Sequence, residues 1–345
     1  MNHQIFMYRA LEIATHGRGN VAPNPMVGCV IVHDNVIIGE GYHCQYGQAH
    51  AEVNAVNSVK NVALLSKSTL YVTLEPCSHF GKTPPCADWI IKHHIPKVVV
   101  ATLDTNPKVA GKGVEKLRNA GVEVVLGVLE NEAKCLNRRF FTYHQKHRPY
   151  IILKWAQTLN GFMDCNERAE KNRQSYWITN ETLRYEVQRW RTEEDAIFCG
   201  ANTILNDNPQ LNSRLLGTKN PIRLTFLNKD ITNRTLHFFD NSQPTLVFNT
   251  EKDAEYGQTR YVRLSKQNWG KEMMDYLYEH KIQSVIVEGG QKTLQYFLEK
   301  NLWDEMRVLV GNKYFLRGLI APQINIQPTC IQCFDEDKLL YFYRS

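Results

Sequence analysis

Along this chain the apolar positions keep switching between a 3.6-residue rhythm, which buries one stripe of a helix, and alternating or unbroken runs, which make strands. MNHQIFMYRALEIATHG, at the N-terminus, has the rhythm of an amphipathic helix. VGCVIVHD and VIIGEGYH read as two strands joined across Asp34-Asn35, a pair suited to a tight hairpin turn. AEVNAVNSVK is a short helix, STLYVTLEP a strand ending on proline, CADWIIKHH a helix, and KVVVATL an apolar strand of the buried kind. GVEKLRNAG closes on glycine as helices do, VEVVLGV is a further strand, and NEAKCLNRRFFTYHQKHRP is helical until Pro149 stops it. Strands alternating with helices predict a largely parallel sheet covered on both faces.

A second alternation starts after Pro149. YIILKWA, AIFCGA, IRLTFLN, TLVFN and SVIVEGG read as strands, MMDYLYEHKI and KTLQYFLEKNL as helices, and EMRVLVGNKYF as a late strand. The halves share no repeat. Two different α/β domains, 1–147 and 148–345, are therefore expected, and 345 residues suffice for both. At 43% hydrophobic and 22% charged the composition is globular. No apolar run nears the roughly 20 residues that cross a bilayer, and the N-terminus lacks the order of a secretory signal. A soluble, cytoplasmic protein is expected. Nine cysteines without a framework spacing favour reduced thiols, with Cys29, Cys135 and Cys199 in apolar patterns that predict core positions. The net charge of +6 is too small for a dedicated nucleic-acid arm.

Chemistry concentrates first in HAEVNAV and PCSHFGKTPPC. His50, Cys77 and Cys86 supply an imidazole and two thiolates, a donor set suited to zinc. Cys77 follows a strand and Cys86 opens a helix, whose partial positive charge favours thiolate. Glu52 can reach a metal-bound water without being a ligand. The order is that of the zinc deaminases, His-x-Glu followed by Pro-Cys and a second Cys, with SHFGKTPP where that pattern has two residues. A structural zinc would want a fourth ligand, for which His79 is available, but has no use for Glu52. A catalytic zinc is the better reading.

These motifs, with APNPMVGCVIV, EGYH, TLEPC and NPKVAGKG in the first half and LKWAQTLNG, WIT, ANTILNDNPQL and VEGG in the second, resemble the bifunctional riboflavin-biosynthesis deaminase–reductase family over essentially the whole chain. The resemblance implies a cytidine-deaminase-like α/β/α domain followed by a dihydrofolate-reductase-like α/β domain. It implies zinc-dependent removal of the 2-amino group from 2,5-diamino-6-(ribosylamino)pyrimidin-4-one 5′-phosphate, then NADPH-dependent reduction of the ribosyl side chain to ribityl. One Zn2+ per chain and NADPH are the cofactors. A phosphorylated pyrimidine is the small-molecule partner, with no nucleic acid and no membrane, and a homo-oligomer, dimer or tetramer, is expected.

By the same resemblance, Asn24 and His43 match positions that contact the pyrimidine and its ribose, and His79 and Lys82 could meet phosphate or ribose from the inter-cysteine loop. Read from the residues alone, Asn24 is better taken as a turn residue between prolines and His43 as a strand-end surface residue; the resemblance reverses that order.

Hydride transfer needs a nicotinamide held against an electrophilic carbon. No Gly-x-Gly-x-x-Gly opens the second half, but VEGGQKTLQYF sets a strand end, two glycines and a helix start in succession, so a cofactor diphosphate over Gly290, Gln291, Lys292 and Thr293 is one reading and a plain glycine turn the other. The resemblance adds Ala156, Trp177, Thr203 and Asp207 as cofactor contacts, and Ser175, Arg191, Leu211, Arg214 and Glu288 as substrate contacts. Arginine suits phosphate through paired hydrogen bonds, while Trp177 on its own reads as core rather than cofactor contact. Lys154 is a candidate for polarising the ribose oxygen, or else a snorkelling strand lysine. Family members commonly carry Leu-Asp-Gly where this chain has Leu159-Asn160-Gly161; asparagine keeps the left-handed turn but not the charge. Gly111-Lys112-Gly113 lacks the spacing of a phosphate loop.

Two other classes compete. A tRNA or nucleic-acid deaminase with an appended binding domain shares the zinc pattern, but the second half lacks interleaved basic and aromatic residues. A zinc-stabilised scaffold would have no role for Glu52.

Overall fold

The computed structural model describes residues 2–80, 84–105, 110–165, 177–214, 219–227 and 235–344. The chain separates into two compact units, Met1–His147 and Arg148–Ser345. Among the described residues no helix is long and apolar enough to cross a membrane.

The first unit runs α1 His3–Ala14, β1 Gly28–His33, β2 Val36–Tyr42, α2 Ala51–Ser58, β3 Thr69–Val72, α3 Cys86–Lys92, β4 Lys97–Val100, α4 Lys112–Asn119, β5 Glu123–Leu126, α5 Glu130–Leu136 and α6 Arg138–Lys146. Asp34 and Asn35 both have positive φ, 47° and 60°, the pairing a two-residue hairpin turn demands. The sheet order is β2-β1-β3-β4-β5. Only β3-β4-β5 is parallel, since β1 pairs antiparallel with both β2 and β3. The expected largely parallel sheet is thus mixed, because the hairpin fixes β1 and β2 in opposite senses. Both faces are covered, as period-two alternation requires. Val30, Val32, Tyr71 and Val99 pack with Phe6, Met7, Ala10 and Ala133 on one side. Cys29, Ile31, Leu70 and Val72 pack with Ala55, Ala87, Ile90 and Leu117 on the other.

The predicted helix of residues 131–149 is two helices. Asn137 leaves the helical path, and its buried amide accepts from Met26 N (2.8 Å) and donates to Met26 O (2.8 Å). That reciprocal clamp holds the segment carrying Asn24. Cys135, expected in the core, is exposed on α5, whereas Cys29 and Cys199 are buried.

The second unit contains β6 Tyr150–Thr158, β7 Phe162–Asp164, α7 Glu181–Glu193, β8 Ala196–Phe198, α8 Ala201–Asp207, β9 Ile222–Phe226, β10 Thr245–Asn249, β11 Ala254–Tyr256, β12 Thr259–Arg263, α9 Trp269–Glu279, β13 Ser284–Glu288, α10 Gln291–Glu299, β14 Glu305–Gly311, β15 Leu319–Ile320, β16 Cys330–Phe334 and β17 Asp337–Tyr343. Its main sheet has the order β11-β12-β10-β9-β8-β13-β6-β14-β17-β16 and is parallel from β12 to β14. Ile151, Leu153 and Trp155 of β6 pack with Met273, Leu277, Leu294 and Phe297 of α9 and α10. Tyr150 and Ile152, alternating with them, face Leu183, Val187 and Trp190 of α7. Because β8, β13 and β6 are adjacent and parallel, their C-terminal ends open together, where α/β sheets bind ligands.

Candidate active sites

His50 caps the start of α2, and Cys86 is the first residue of α3. Cys77 lies in the loop after β3, and its carbonyl accepts from Ala87 N at 3.1 Å while its Sγ accepts from Cys86 N at 3.3 Å. These bonds pin the ends of the inter-cysteine loop together, so its length does not separate the sulfurs. His50 Nδ1 sits 3.2 Å from Cys86 Sγ and 3.6 Å from Cys77 Sγ. For tetrahedral zinc, Zn–S of about 2.3 Å and Zn–N of about 2.0 Å imply N–S edges of about 3.5 Å, so the triangle already has the size of one face of that tetrahedron. Among the described residues, the cluster of possible ligand atoms within 4.8 Å of one another is His50, Cys77 and Cys86 alone. His79 is exposed and outside it.

The Cys86 hydrogen bond draws Cys77 down to about 4, against the upward push of burial and with help from His50, while the same bond pushes Cys86 well up. Hydrogen bonding to Cys77 raises His50. Glu52, in the first turn of α2 and 3% exposed, is pushed up to about 7, first by burial and then by the Cys77 charge. A carboxyl near neutrality can both take and give a proton.

Asn24 and His43 are brought together: Asn24 Nδ2 lies 3.1 Å from His43 Nε2. His43 Nδ1 lies 3.1 Å from the Ala49 carbonyl, which requires a hydrogen on Nδ1 and leaves Nε2 to accept from Asn24. The His43 ring meets His50 edge-on at 5.4 Å, and burial lowers its pKa. Lys82 lies outside the described residues.

In the second unit, the register of β13 against β6 sets Glu288 beside Lys154. Glu288 Oε2 accepts from Lys154 Nζ at 3.5 Å, and both carboxylate oxygens accept from Arg191, at 3.0 Å from Nε and 2.8 Å from Nη2. Burial pushes the Glu288 carboxyl upward, but Arg191 and then Lys154 more than reverse this and hold it at about 2. Burial lowers Lys154 despite that carboxylate. Arg191, expected on a substrate phosphate, has its fork on Glu288 and gives Nη1 to the Asn212 carbonyl. The exposed Arg214 is the other arginine of that expectation. Leu211 holds a φ of 52° with its side chain in the core, so any ligand contact there falls to its backbone. Ser175 lies outside the described residues.

The β8–α8 and β13–α10 turns form a cradle. Gly289 (φ 147°) and Gly290 (φ 62°) end β13, and a side chain on Gly290 would come within 3.1 Å of Thr203 Oγ1. A Cβ on Gly200 would lie 2.3 Å from Thr293 Oγ1. The hydroxyls of Thr203 and Thr293 thus lie against the glycine backbone of the two turns, each in the first turn of its helix, with Gln291 and Lys292 opening α10. Amide-rich glycine turns at helix starts suit a diphosphate, so the residues present fit a dinucleotide. Asp207 lies at the far end of α8, Ala156 is half-buried on β6, and Trp177 is 53% exposed beneath Arg184, 4.8 Å from its ring centre, and not in the core.

Glu75 went unnoticed in the sequence. It is 4% exposed, and its carboxylate accepts from four backbone amides, three at the start of α4 and that of Asp104 in the segment after β4. Its position inside TLEPC, two residues before Cys77, was the available signal.

Comparison with known proteins agrees with both halves. Residues 1–102 match the cytidine and deoxycytidylate deaminase zinc-binding region, and residues 149–315 match the RibD C-terminal domain. The riboflavin biosynthesis protein RibD of Aquifex aeolicus is 40% identical, covering 98% of each chain, and that of Escherichia coli is 34% identical, covering 91% of this chain and 88% of its own. A crystal structure of a diaminohydroxyphosphoribosylaminopyrimidine deaminase/5-amino-6-(5-phosphoribosylamino)uracil reductase from Thermotoga maritima superposes with a TM-score of 0.89 at 38% identity over 99% of both chains. An Acinetobacter baumannii RibD structure gives 0.88 at 33% identity over 99% of this chain and 98% of its own.

Proposed function

The chain belongs to the RibD family of bifunctional riboflavin-biosynthesis enzymes, and from that premise we propose how its own residues carry the two reactions. The enzyme is a zinc-dependent deaminase and an NADPH-dependent reductase. We assign deamination to residues 1–147 and reduction to residues 148–345.

In the first half, His50 Nδ1, Cys77 and Cys86 hold the metal, which when bound supplies a water acidified toward neutrality. Glu52 would carry the proton between the attacking water and the departing 2-amino group, so that one water is consumed and one ammonia released. Asn24 and His43, hydrogen-bonded to each other, present the polar edge that orients the pyrimidine and its ribose. Lys82 and His79 are the loop residues assigned to the ribose phosphate.

In the second half, NADPH supplies the hydride. Gly290, Gln291, Lys292 and Thr293, with Thr203 across the cradle, hold its diphosphate, while Ala156, Trp177 and Asp207 complete its contacts. Lys154 offers an N–H to the ribose oxygen as C1′ is reduced, and Glu288 keeps that ammonium oriented. Arg191 fixes Glu288 as an anion, leaving Arg214, with Ser175 and the Leu211 backbone, for the substrate phosphate. Nine cysteines without a framework spacing support a reducing compartment, the cytoplasm. The exposed apolar run at Tyr314, Leu316, Leu319 and Ile320 supports self-association into a homo-oligomer.

The observation that carries the reading is the three-ligand triangle with buried Glu52 beside it and no fourth ligand among the described residues. Purified protein with the diaminopyrimidinone phosphate should release ammonia without NADPH, and oxidise NADPH only after deamination. Glu52→Gln should keep its zinc, lose ammonia release by at least a hundredfold, and still oxidise NADPH when given the deaminated substrate. NADPH oxidation ahead of ammonia release would overturn the order.

A further inference from the structure

The geometry points to Glu75 as the positioning residue of the zinc loop, an inference that rests on the zinc assignment above. Glu75 stands at the end of the segment that leaves β3, two residues before Cys77. Its backbone N–H donates to the Thr102 carbonyl at 3.0 Å, tying the segment to the chain leaving β4. Its carboxylate does more. Oε1 accepts from Gly113 N (2.9 Å) and Val114 N (3.3 Å), and Oε2 from Gly111 N (2.9 Å) and Asp104 N (3.2 Å). A buried charge so placed is stabilised by the amides and by the positive end of α4.

This arrangement also explains Gly111-Lys112-Gly113, which resembles an anion loop without the spacing of one. Gly111 turns the chain with a φ of 77°, and its amide and that of Gly113 receive the protein's own carboxylate instead of a phosphate. Gly113 must be glycine for a second reason: a Cβ there would lie 1.9 Å from the Pro76 carbonyl oxygen. The residue before Cys77 is therefore pressed against α4 while the residue before that is bonded to it. The Cys77 carbonyl is in turn held by Ala87 N and its Sγ by Cys86 N. With both flanks fixed, the sulfur stays within bonding range of a metal held by His50 and Cys86.

Glutamine at position 75 keeps the size but offers one acceptor oxygen and turns an NH2 group toward backbone N–H donors. Outer-shell partners of this kind typically change metal affinity or activity by about 10- to 100-fold. The test uses the full chain loaded with zinc and follows metal release to a chromophoric chelator. Glu75→Gln should release zinc about 10- to 100-fold faster than wild type, with NADPH oxidation on the deaminated substrate unchanged, since no residue of that site is touched. Gly113→Ala keeps the Glu75 side chain but crowds its Oε1 at 3.2 Å and the Pro76 carbonyl oxygen at 1.9 Å, disturbing the same tie, and should speed release in the same direction. It decides the matter if Glu75→Gln does not fold. Release within twofold of wild type in the folded variants, whatever happens to their melting temperatures, would refute the role. A wild-type chain binding less than one zinc, or a His50→Ala chain binding it as well as wild type, would instead refute the zinc assignment.

Discussion

Replacing Glu288 with glutamine strips the negative member from a buried trio and leaves Arg191 and Lys154 facing each other. The side chains of Arg191 and Glu288 are only 10% and 8% exposed, so solvent screens the loss poorly. Breaking a buried pair by removing one partner costs about 3–5 kcal/mol. The carboxyl's own displacement gives a similar figure by a separate route. Held at about 2 in the folded chain against an ordinary 4.5, it contributes roughly 3 kcal/mol at about 1.4 kcal/mol per unit. The sign follows from the direction. Because the folded value is depressed, the contribution is complete above the unfolded value near 4.5 and disappears as pH falls through about 2. Urea unfolding followed by tryptophan fluorescence reads the right half, since only Trp89 of the six tryptophans lies before residue 148. Wild type should exceed Glu288→Gln by roughly 3 kcal/mol at neutral pH, and the gap should shrink to about half or less by pH 3. A gap below about 1 kcal/mol at neutrality, or one that does not narrow with acid, would refute the claim that Glu288 is a paired, buried anion.

Two further variants probe the second unit. Asn160 accepts from Phe315 N at 3.2 Å and donates to Phe315 O at 2.7 Å, a reciprocal bond that needs an amide; Asn160→Asp, though it restores the family's usual residue, should lower stability by about 1 kcal/mol in chemical denaturation, and no change would mean the donor is idle. Gly200→Ala should push Thr293 out of the cradle and weaken NADPH binding about tenfold or more, roughly 1.4 kcal/mol, in a fluorescence titration while ammonia release holds; unchanged affinity would place the diphosphate elsewhere.

That His50, Cys77 and Cys86 come together was legible because each sits where secondary structure changes, His50 and Cys86 at helix starts and Cys77 after a strand, and such junctions are marked by turn residues. The β1–β2 hairpin was legible for the same reason, through Asp34-Asn35. Pairings across long sequence separations were not. Arg191 reads as an ordinary charge on an amphipathic helix, and nothing local says that the register of β13 and the packing of α7 spend its guanidinium on Glu288, 97 residues away. Asn137 sits in a continuous helical pattern, and only its distant partner Met26 breaks the helix there. The hairpin of β16 and β17 escaped notice because most side chains of β16 are exposed, so no buried alternation marks it. Cys135 misled for the converse reason: an apolar residue in a helical pattern was assigned to the buried stripe, and it lies on the open one.

Every described residue assigned to the deamination centre falls before position 148, and every one assigned to reduction falls after it. The two activities are therefore separable lesions. A chain crippled in its first half and another crippled in its second retain, between them, one intact copy of each centre. Mixed in one solution, such a pair can restore the complete conversion that neither performs alone, provided the deaminated intermediate diffuses from one molecule to the other.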